Sequence, residues 1–237
     1  MRSAWTIIVC GISFLSSCRG MDAVSADAQA MPRGAETRFD FESGDVGSFP
    51  AGFSSDRTGG GPLGKWVIDE GEEASSMHRA PLRGRILAQL DPDATESRYL
   101  VCVANDVSTR DARSWMHFQA RGGEIDQAAG IVVRYQDPRN YYLARANALE
   151  GNVRFYKVVD GTRKQLGSTV TPVTPKTWHK LLVEARGAQF RVEYDGTTLF
   201  TVEDEAIPRA GQCGLWTKAD SVTWFDDLTV ESFDGVR

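Results

Sequence analysis

The sequence predicts an all-β protein, an antiparallel β-sandwich of the jelly-roll kind. Two observations carry the prediction. From Phe39 onward apolar residues recur with a period of two, the spacing that puts alternate side chains on one face of a strand. Asp-Gly pairs at 160–161 and 195–196 separate strand-like runs, and Asp-Gly readily takes the positive φ values of a type I′ hairpin turn.

Taken in order, Phe39-Asp40-Phe41 predicts a first strand lying close to the last one. Runs at 66–69, 85–90 and 99–104 follow. Met116, Phe118 and Ala120 then alternate with Trp115, His117 and Gln119, which predicts a half-buried strand. Gly130-Ile131-Val132-Val133 is apolar on both faces, as expected of a central strand covered on both sides. Runs at 141–147 and 152–159 lead to the first Asp-Gly turn. Leu181, Val183 and Ala185 form the next apolar stripe, and Phe190, Val192 and Tyr194 the one after. The second Asp-Gly turn and runs at 198–202, 214–218 and 224–231 complete about a dozen strands. So many strands joined by short turns, with almost no helix, indicate two sheets packed face to face. Gly59-Gly60-Gly61-Pro62 and Thr171-Pro172-Val173-Thr174-Pro175 read as surface loops.

The chain has 237 residues, 41% of them hydrophobic, and a formal net charge of -5. No long run of Lys or Arg is present, which argues against a binding mode built on neutralising phosphates and hence against nucleic acid. Met1-Arg2 is a short basic start, and the apolar run from Ala4 to Leu15 is too short to span a bilayer, so residues 1–17 read as a secretory signal. Leu15-Ser16-Ser17-Cys18 resembles the bacterial lipoprotein box, in which the cysteine carries lipid and begins the mature chain. The competing pattern is cleavage after Ala26, within Val24-Ser25-Ala26; both export the protein. Residues 18–38 form a polar, alanine-rich tether, and residues 39–237 the sandwich domain. Arg19 after the lipid-bearing cysteine resembles outer-membrane sorting, which places the domain in the cell envelope, facing periplasm or surface.

With Cys10 and Cys18 in the leader, Cys102 and Cys213 remain as an even pair in an oxidising compartment, either bridged or two buried hydrophobes on core strands.

Three stretches resemble the 3-keto-disaccharide hydrolase domain family, a branch of the concanavalin A-like lectin/glucanase superfamily often grouped loosely with family 16 glycoside hydrolases. The first runs from Gly123-Glu124-Ile125-Asp126 through Ala128-Ala129-Gly130 to Val133-Arg134-Tyr135-Gln136-Asp137. The second is Asn140-Tyr141-Tyr142-Leu143-Ala144-Arg145-Ala146-Asn147, leading to Asn152-Val153-Arg154-Phe155-Tyr156-Lys157. The third is Gly214-Leu215-Trp216-Thr217-Lys218-Ala219-Asp220-Ser221, followed by Phe225-Asp226-Asp227. The resemblance implies a concanavalin A-like jelly roll with a concave sugar-facing sheet, and a saccharide or glycoside as partner.

Catalysis is a separate question. Family 16 glucanases carry E-x-D-x-x-E, whose outer glutamates serve as nucleophile and acid/base. Glu124 and Asp126 match its start, but Ala128 and Ala129 occupy the places of the third carboxylate, so retaining chemistry is disfavoured. The 3-keto resemblance implies instead one general base that starts an elimination beside the keto group, with a positive group or divalent metal near the enolate. Glu124 and Asp126 are the candidate catalytic residues, with Asp137 and Glu150 as further bases and Arg134, Arg145 and Lys218 as charge stabilisers. His78, His117 and His179 lack H-x-H or H-x-x-x-H spacing and do not predict a histidine metal site. Asp226-Asp227 and Asp137 with Asn140 offer hard oxygen ligands for calcium, or equally caps for turns.

The arginines are the most informative feature. On neighbouring strands, alternation groups Arg134 with Val132 and Gln136, Arg145 with Tyr141 and Asn147, and Arg154 with Asn152 and Tyr156. Trp216, Lys218 and Asp220 share a face in the same way. Planar donors and amides bond sugar hydroxyls, and an aromatic ring covers the apolar face of the sugar. Arg134, Arg145, Asn147, Arg154, Trp216, Lys218 and Asp220 are therefore the candidate saccharide contacts. Three functions fit: a jelly roll acting on 3-keto-disaccharides or related glycosides, a non-catalytic lectin-like glycan-binding envelope protein, and a structural adhesion sandwich.

Overall fold

The structure is a computed structural model that describes residues 34–71 and 84–234. The leader, Cys18, most of the tether and His78 lie outside these residues. Among the described residues, fifteen strands form two antiparallel sheets. Sheet A contains, in spatial order, β13 (Thr197–Glu203), β12 (Gln189–Tyr194), β11 (His179–Arg186), β6 (Ala112–Gly122), β15 (Val222–Ser232), β4 (Arg85–Gln89) and β3 (Trp66–Glu70). The short β1 (Glu36–Phe39) pairs with the second half of β15, so the first strand lies beside the last one, although it covers 36–39 rather than the expected 39–41 and begins inside the expected tether. Sheet B contains β10 (Thr162–Val170), β9 (Asn152–Val159), β8 (Asn140–Asn147), β7 (Ala128–Asp137), β14 (Gly211–Lys218), β5 (Arg98–Thr109) and β2 (Phe53–Gly59).

Alternation decides what lies between the sheets. Leu100 and Cys102 of β5, Ile131 and Val133 of β7, Tyr142, Ala144 and Ala146 of β8 and Val153 and Phe155 of β9 meet Met116, Phe118, Leu181, Val183, Phe190, Val192 and Phe225 of sheet A in one buried core. β7 sits in the middle of its sheet, as its two-sided apolar run predicts. Both Asp-Gly pairs are hairpin turns, with φ of 51° and 78° at 160–161 and 47° and 78° at 195–196.

Two strands are additional to the sequence-based expectation. β2 (FSSDRTG) and β10 (TRKQLGSTV) are the two edges of sheet B. Edge strands bury little, so neither carries the apolar stripe that betrays an inner strand.

Cys102 and Cys213 are free thiols, which corrects the expected disulfide. Register supplies the reason. Cys102 of β5 stands opposite Leu215, not Cys213, and Cys213 sits in a bulge between Gln212 and Gly214. Residues offset along neighbouring strands hold their Cβ atoms farther apart than a disulfide allows. Both thiols are buried, and burial pushes Cys213 up to about 12.

Candidate functional site

The outer face of sheet B is not a solvated strand surface. Val101, Val103, Ala128, Val132, Tyr135, Tyr141, Leu143, Tyr156, Val158 and Trp216 form a second buried cluster there. A sheet face open to water would expose them. It is closed because the sheet curls: the guanidinium of Arg163 on edge strand β10 lies 4.5 Å from the ring of Tyr99 on β5 and 4.7 Å from that of Tyr156 on β9. Four strands separate β10 from β5 in the sheet, so the contact requires a concave face.

One end of this concave face carries a closed ring of polar contacts. Arg145 of β8 stands opposite Arg154 of β9, a like-charge pair that would repel if left alone. Glu150, from the turn between these strands, resolves the repulsion: its Oε2 lies 2.9 Å from a guanidinium nitrogen of each arginine. Asn147 aims that turn, because its Oδ1 accepts from the backbone N–H groups of Leu149 and Glu150. The Asn147 amide nitrogen donates in turn to Asp126 and, at 3.3 Å, to Glu150. Lys218 Nζ of β14 donates to the other Asp126 oxygen at 2.6 Å. Lys218 is the register partner of Tyr99, which meets Arg163, and Arg163 meets Tyr156. Tyr156 closes the circuit, its hydroxyl accepting from Arg145 at 3.3 Å and Arg154 at 3.4 Å.

Below the ring, Trp216 stacks on Tyr99 with centroids 5.8 Å apart and planes 13° apart. Gly130 leaves room for it, since a Cβ there would come within 2.7 Å of Leu143 and 3.1 Å of the indole. Trp216 itself is 0% exposed, so the aromatic surface offered to a ligand is Tyr99 and not the tryptophan.

The loop holding Asp126 has its own support. The Asp220 carboxylate accepts from the backbone N–H groups of Glu124 at 2.6 Å, Ile125 at 3.0 Å and Asp126 at 2.9 Å. Burial works against the charge on Asp220, but these donors outweigh it and hold the carboxyl below the usual carboxylate range. Gly123 opens the loop at φ 134°, where a Cβ would fall 1.9 Å from the carbonyl oxygen of Asp126. Similarly, the paired arginines hold Glu150 below the usual range although burial opposes them.

The predicted contacts thus divide. Arg145, Asn147, Arg154 and Lys218 come together with Asp126. Asp220 supports the loop from behind, and Glu124 is exposed, held only through its backbone. Arg134 is a correction. It takes φ 50° at a register break in β7 between Val133 and Asp137, which turns its side chain off the concave face. Its guanidinium lies 4.9 Å from the ring of Phe190 in the core between the sheets and donates to the carbonyls of Arg110, Ile207 and Gly187 and to Asp111. At 2% exposure it ties loops together at the end of the sandwich.

The metal candidates have other partners. Asp227 pairs with Arg38 and lies 3.6 Å from His117, while Asp137 caps its own turn through Arg139 N–H and Asn140. His179 binds Asp195 at 2.7 Å. Among the described residues no three His, Cys, Asp or Glu side chains gather as metal ligands.

Comparison with known proteins shows the fold. No family model matches the chain. Levanase of Bacillus subtilis (strain 168) is 29% identical over 99 residues, 41% of this chain; the aligned stretch spans only 14% of levanase. Carbohydrate-binding module CBM66 from Bacillus subtilis superposes with a TM-score of 0.53 at 23% identity, over 70% of this chain and 95% of the module. Domain 4 of AbnA, a GH43 extracellular arabinanase from Geobacillus stearothermophilus solved with arabinotriose, gives 0.54 at 12% identity over 85% and 94%. The GH43 protein BlXynB from Bacillus licheniformis gives 0.52 at 12% identity, over 82% of this chain and 39% of the enzyme. The β-sandwich is therefore an architecture that this chain has in common with carbohydrate-binding modules and with domains of glycoside hydrolases.

Proposed function

We propose that this protein is a saccharide-binding sandwich, and that one sugar unit seats on the ring formed by Tyr99, Asp126, Asn147, Glu150, Arg154, Tyr156, Arg163 and Lys218. One observation carries the proposal: side chains from five strands, a turn and a loop converge on the concave face, already oriented by one another over an aromatic floor. Side chains held in this way lose little freedom on binding, so their hydrogen bonds to a ligand are not spent on ordering the site. The resemblance of the fold to CBM66 and to the arabinotriose-bound domain of AbnA supports the same reading, as does the partial likeness to levanase, an enzyme named for a polysaccharide.

Binding is favoured over cleavage by the state of the carboxylates. Both oxygens of Asp126 are occupied, one by Asn147 and one by Lys218, and Glu124 faces solvent. A base so engaged is poorly placed to take a proton from a sugar carbon. The finer alternative, hydrolysis of 3-keto-disaccharides or related glycosides, predicts that Asp126→Asn or Glu124→Gln lowers turnover more than binding. Export as an envelope lipoprotein through Cys18 accompanies the proposal and predicts that Cys18→Ser releases the protein from the membrane fraction.

The test is a glycan screen by ligand-dependent melting, since a ligand that binds only the native state raises the melting temperature. Arg154→Ala should weaken the saccharide found by about 1 to 3 kcal/mol through lost charge-assisted hydrogen bonds. Arg113→Ala, a control on sheet A where the arginine pairs with Glu184, should not. Equal effects of the two substitutions would remove the ring as the site.

A further inference from the structure

The ring has a surplus of one kind of group. Arg145, Arg154, Arg163 and Lys218 bring four cations to it, against the two carboxylates Asp126 and Glu150. This local excess of positive charge runs opposite to the chain's formal net charge of -5. Among the described residues no carboxylate lies within ion-pair distance of Arg163, whose only contacts of note are the rings of Tyr99 and Tyr156.

Hydrogen-bond capacity is unbalanced in the same direction. The ring's acceptors are committed. Glu150 Oε2 takes both arginines and Asn152, Asp126 takes Asn147 and Lys218, Asn147 Oδ1 takes two backbone N–H groups, and Asn152 Oδ1 takes Arg145 at 3.1 Å. Donors are left over. Nε of Arg145, Nε of Arg154 and Nη1 of Arg163 are buried and meet no acceptor in the protein. These three atoms are sealed from solvent, so the donors a ligand can reach are the remaining guanidinium edges of Arg154, whose side chain is 31% exposed, and of the partly exposed Arg163. A neutral sugar hydroxyl donates as well as accepts, and its O–H would have to share acceptors that already hold donors in this ring. A carboxylate accepts only, and its two oxygens match the fork of a guanidinium.

From this excess we infer that the saccharide is acidic: a glycan unit bearing a carboxylate, which sits against Arg154 and Arg163 beside Tyr156, with Arg145 adding charge from beneath. The inference rests on the ring being the saccharide site and specifies the chemistry of its ligand. Lys218, paired with Asp126 on the opposite side, is left to orient the hydroxyls.

The experiment uses the full chain and a panel of uronate oligosaccharides (galacturonate, glucuronate and mannuronate types), each paired with its methyl ester, together with arabinotriose and levan oligosaccharides as neutral probes and one sulfated oligosaccharide. Calorimetric titration should find at least one uronate bound tenfold or more tightly than its own ester, with the preference falling as salt is raised. Arg163→Gln, on a partly exposed edge strand, should weaken the acid severalfold more than it weakens the ester, so that the preference falls; equal losses for acid and ester would overturn the carboxylate contact. If esters or neutral oligosaccharides bind as tightly as the acids, the ligand is not acidic, although the ring remains a saccharide site. If the sulfated probe binds as tightly as every uronate, the carboxylate assignment is overturned. If no saccharide binds, both this inference and the underlying site are wrong.

Discussion

Asp220 shows how one residue positions the chemistry of another. It bonds none of the ring's side chains, yet three backbone N–H groups of the loop that carries Asp126, that of Asp126 included, converge on its carboxylate. Its folded-state pKa is lowered, so its contribution to stability is present above the unfolded value of about 3.9 and is lost as pH falls through the folded value. Asp220→Asn should therefore cost about 1 to 3 kcal/mol at pH 7, and the gap to wild type should narrow below about pH 4 in denaturant titrations. A gap of constant size at pH 7 and pH 3 would mean that the charge is not what holds the loop. Arg134 makes the opposite point at the same scale. Strict alternation puts it beside Val132 on the concave face, but one residue at φ 50° suffices to send it into the end of the core. No periodicity argument contains that information, because a single positive φ at an arginine leaves no mark on the pattern of apolar residues.

Strand β15 illustrates the element scale. Its two halves pair with different partners, β4 first and β1 afterwards, and a bulge at Asp227 marks the change. The bulge puts two carboxylates side by side. Burial first, and the neighbouring Asp227 second, push Asp226 up to about 8. A carboxyl raised in the folded state stabilises fully below its unfolded pKa of about 3.9, and that contribution is lost as pH rises towards 8. Asp226→Asn removes the ionisation and keeps an acceptor for the Asp227 N–H that Asp226 now binds at 2.7 Å. The variant should gain melting temperature relative to wild type as pH is raised from 4 to 8, and a gain that shrinks over that range would contradict the assignment. At this scale the sequence was largely legible. The inner strands, both Asp-Gly hairpins and the facing of Arg145, Asn147 and Arg154 follow from period two. The two polar edges of sheet B do not, and with β10 went Arg163. The Thr162–Val170 segment after the Asp160-Gly161 turn was the signal that could have revealed it, since a hairpin turn requires a second strand.

For the whole molecule, the decisive property is the curl of sheet B. It brings Tyr99 and Arg163 together from strands far apart in the sheet and seals Trp216 beneath them. Alternation names the residues on a face but not the curvature of that face, so period two points to the tryptophan and passes over Tyr99. Curvature also converts a stripe of arginines into an enclosed ring, and enclosure strengthens the electrostatics by lowering the local dielectric. The sandwich shared with carbohydrate-binding modules thus supplies a scaffold, while the ligand is decided by the side chains on its concave end.

A crystal structure of the protein bound to the saccharide of highest affinity shows whether a sugar occupies this ring. Sugar density is expected against Tyr99, between Arg154 and Lys218, with an oxygen of the ligand at the exposed guanidinium edge of Arg154 or Arg163. Sugar bound instead on the outer face of sheet A, or at the Arg134 end of the sandwich, would contradict this placement.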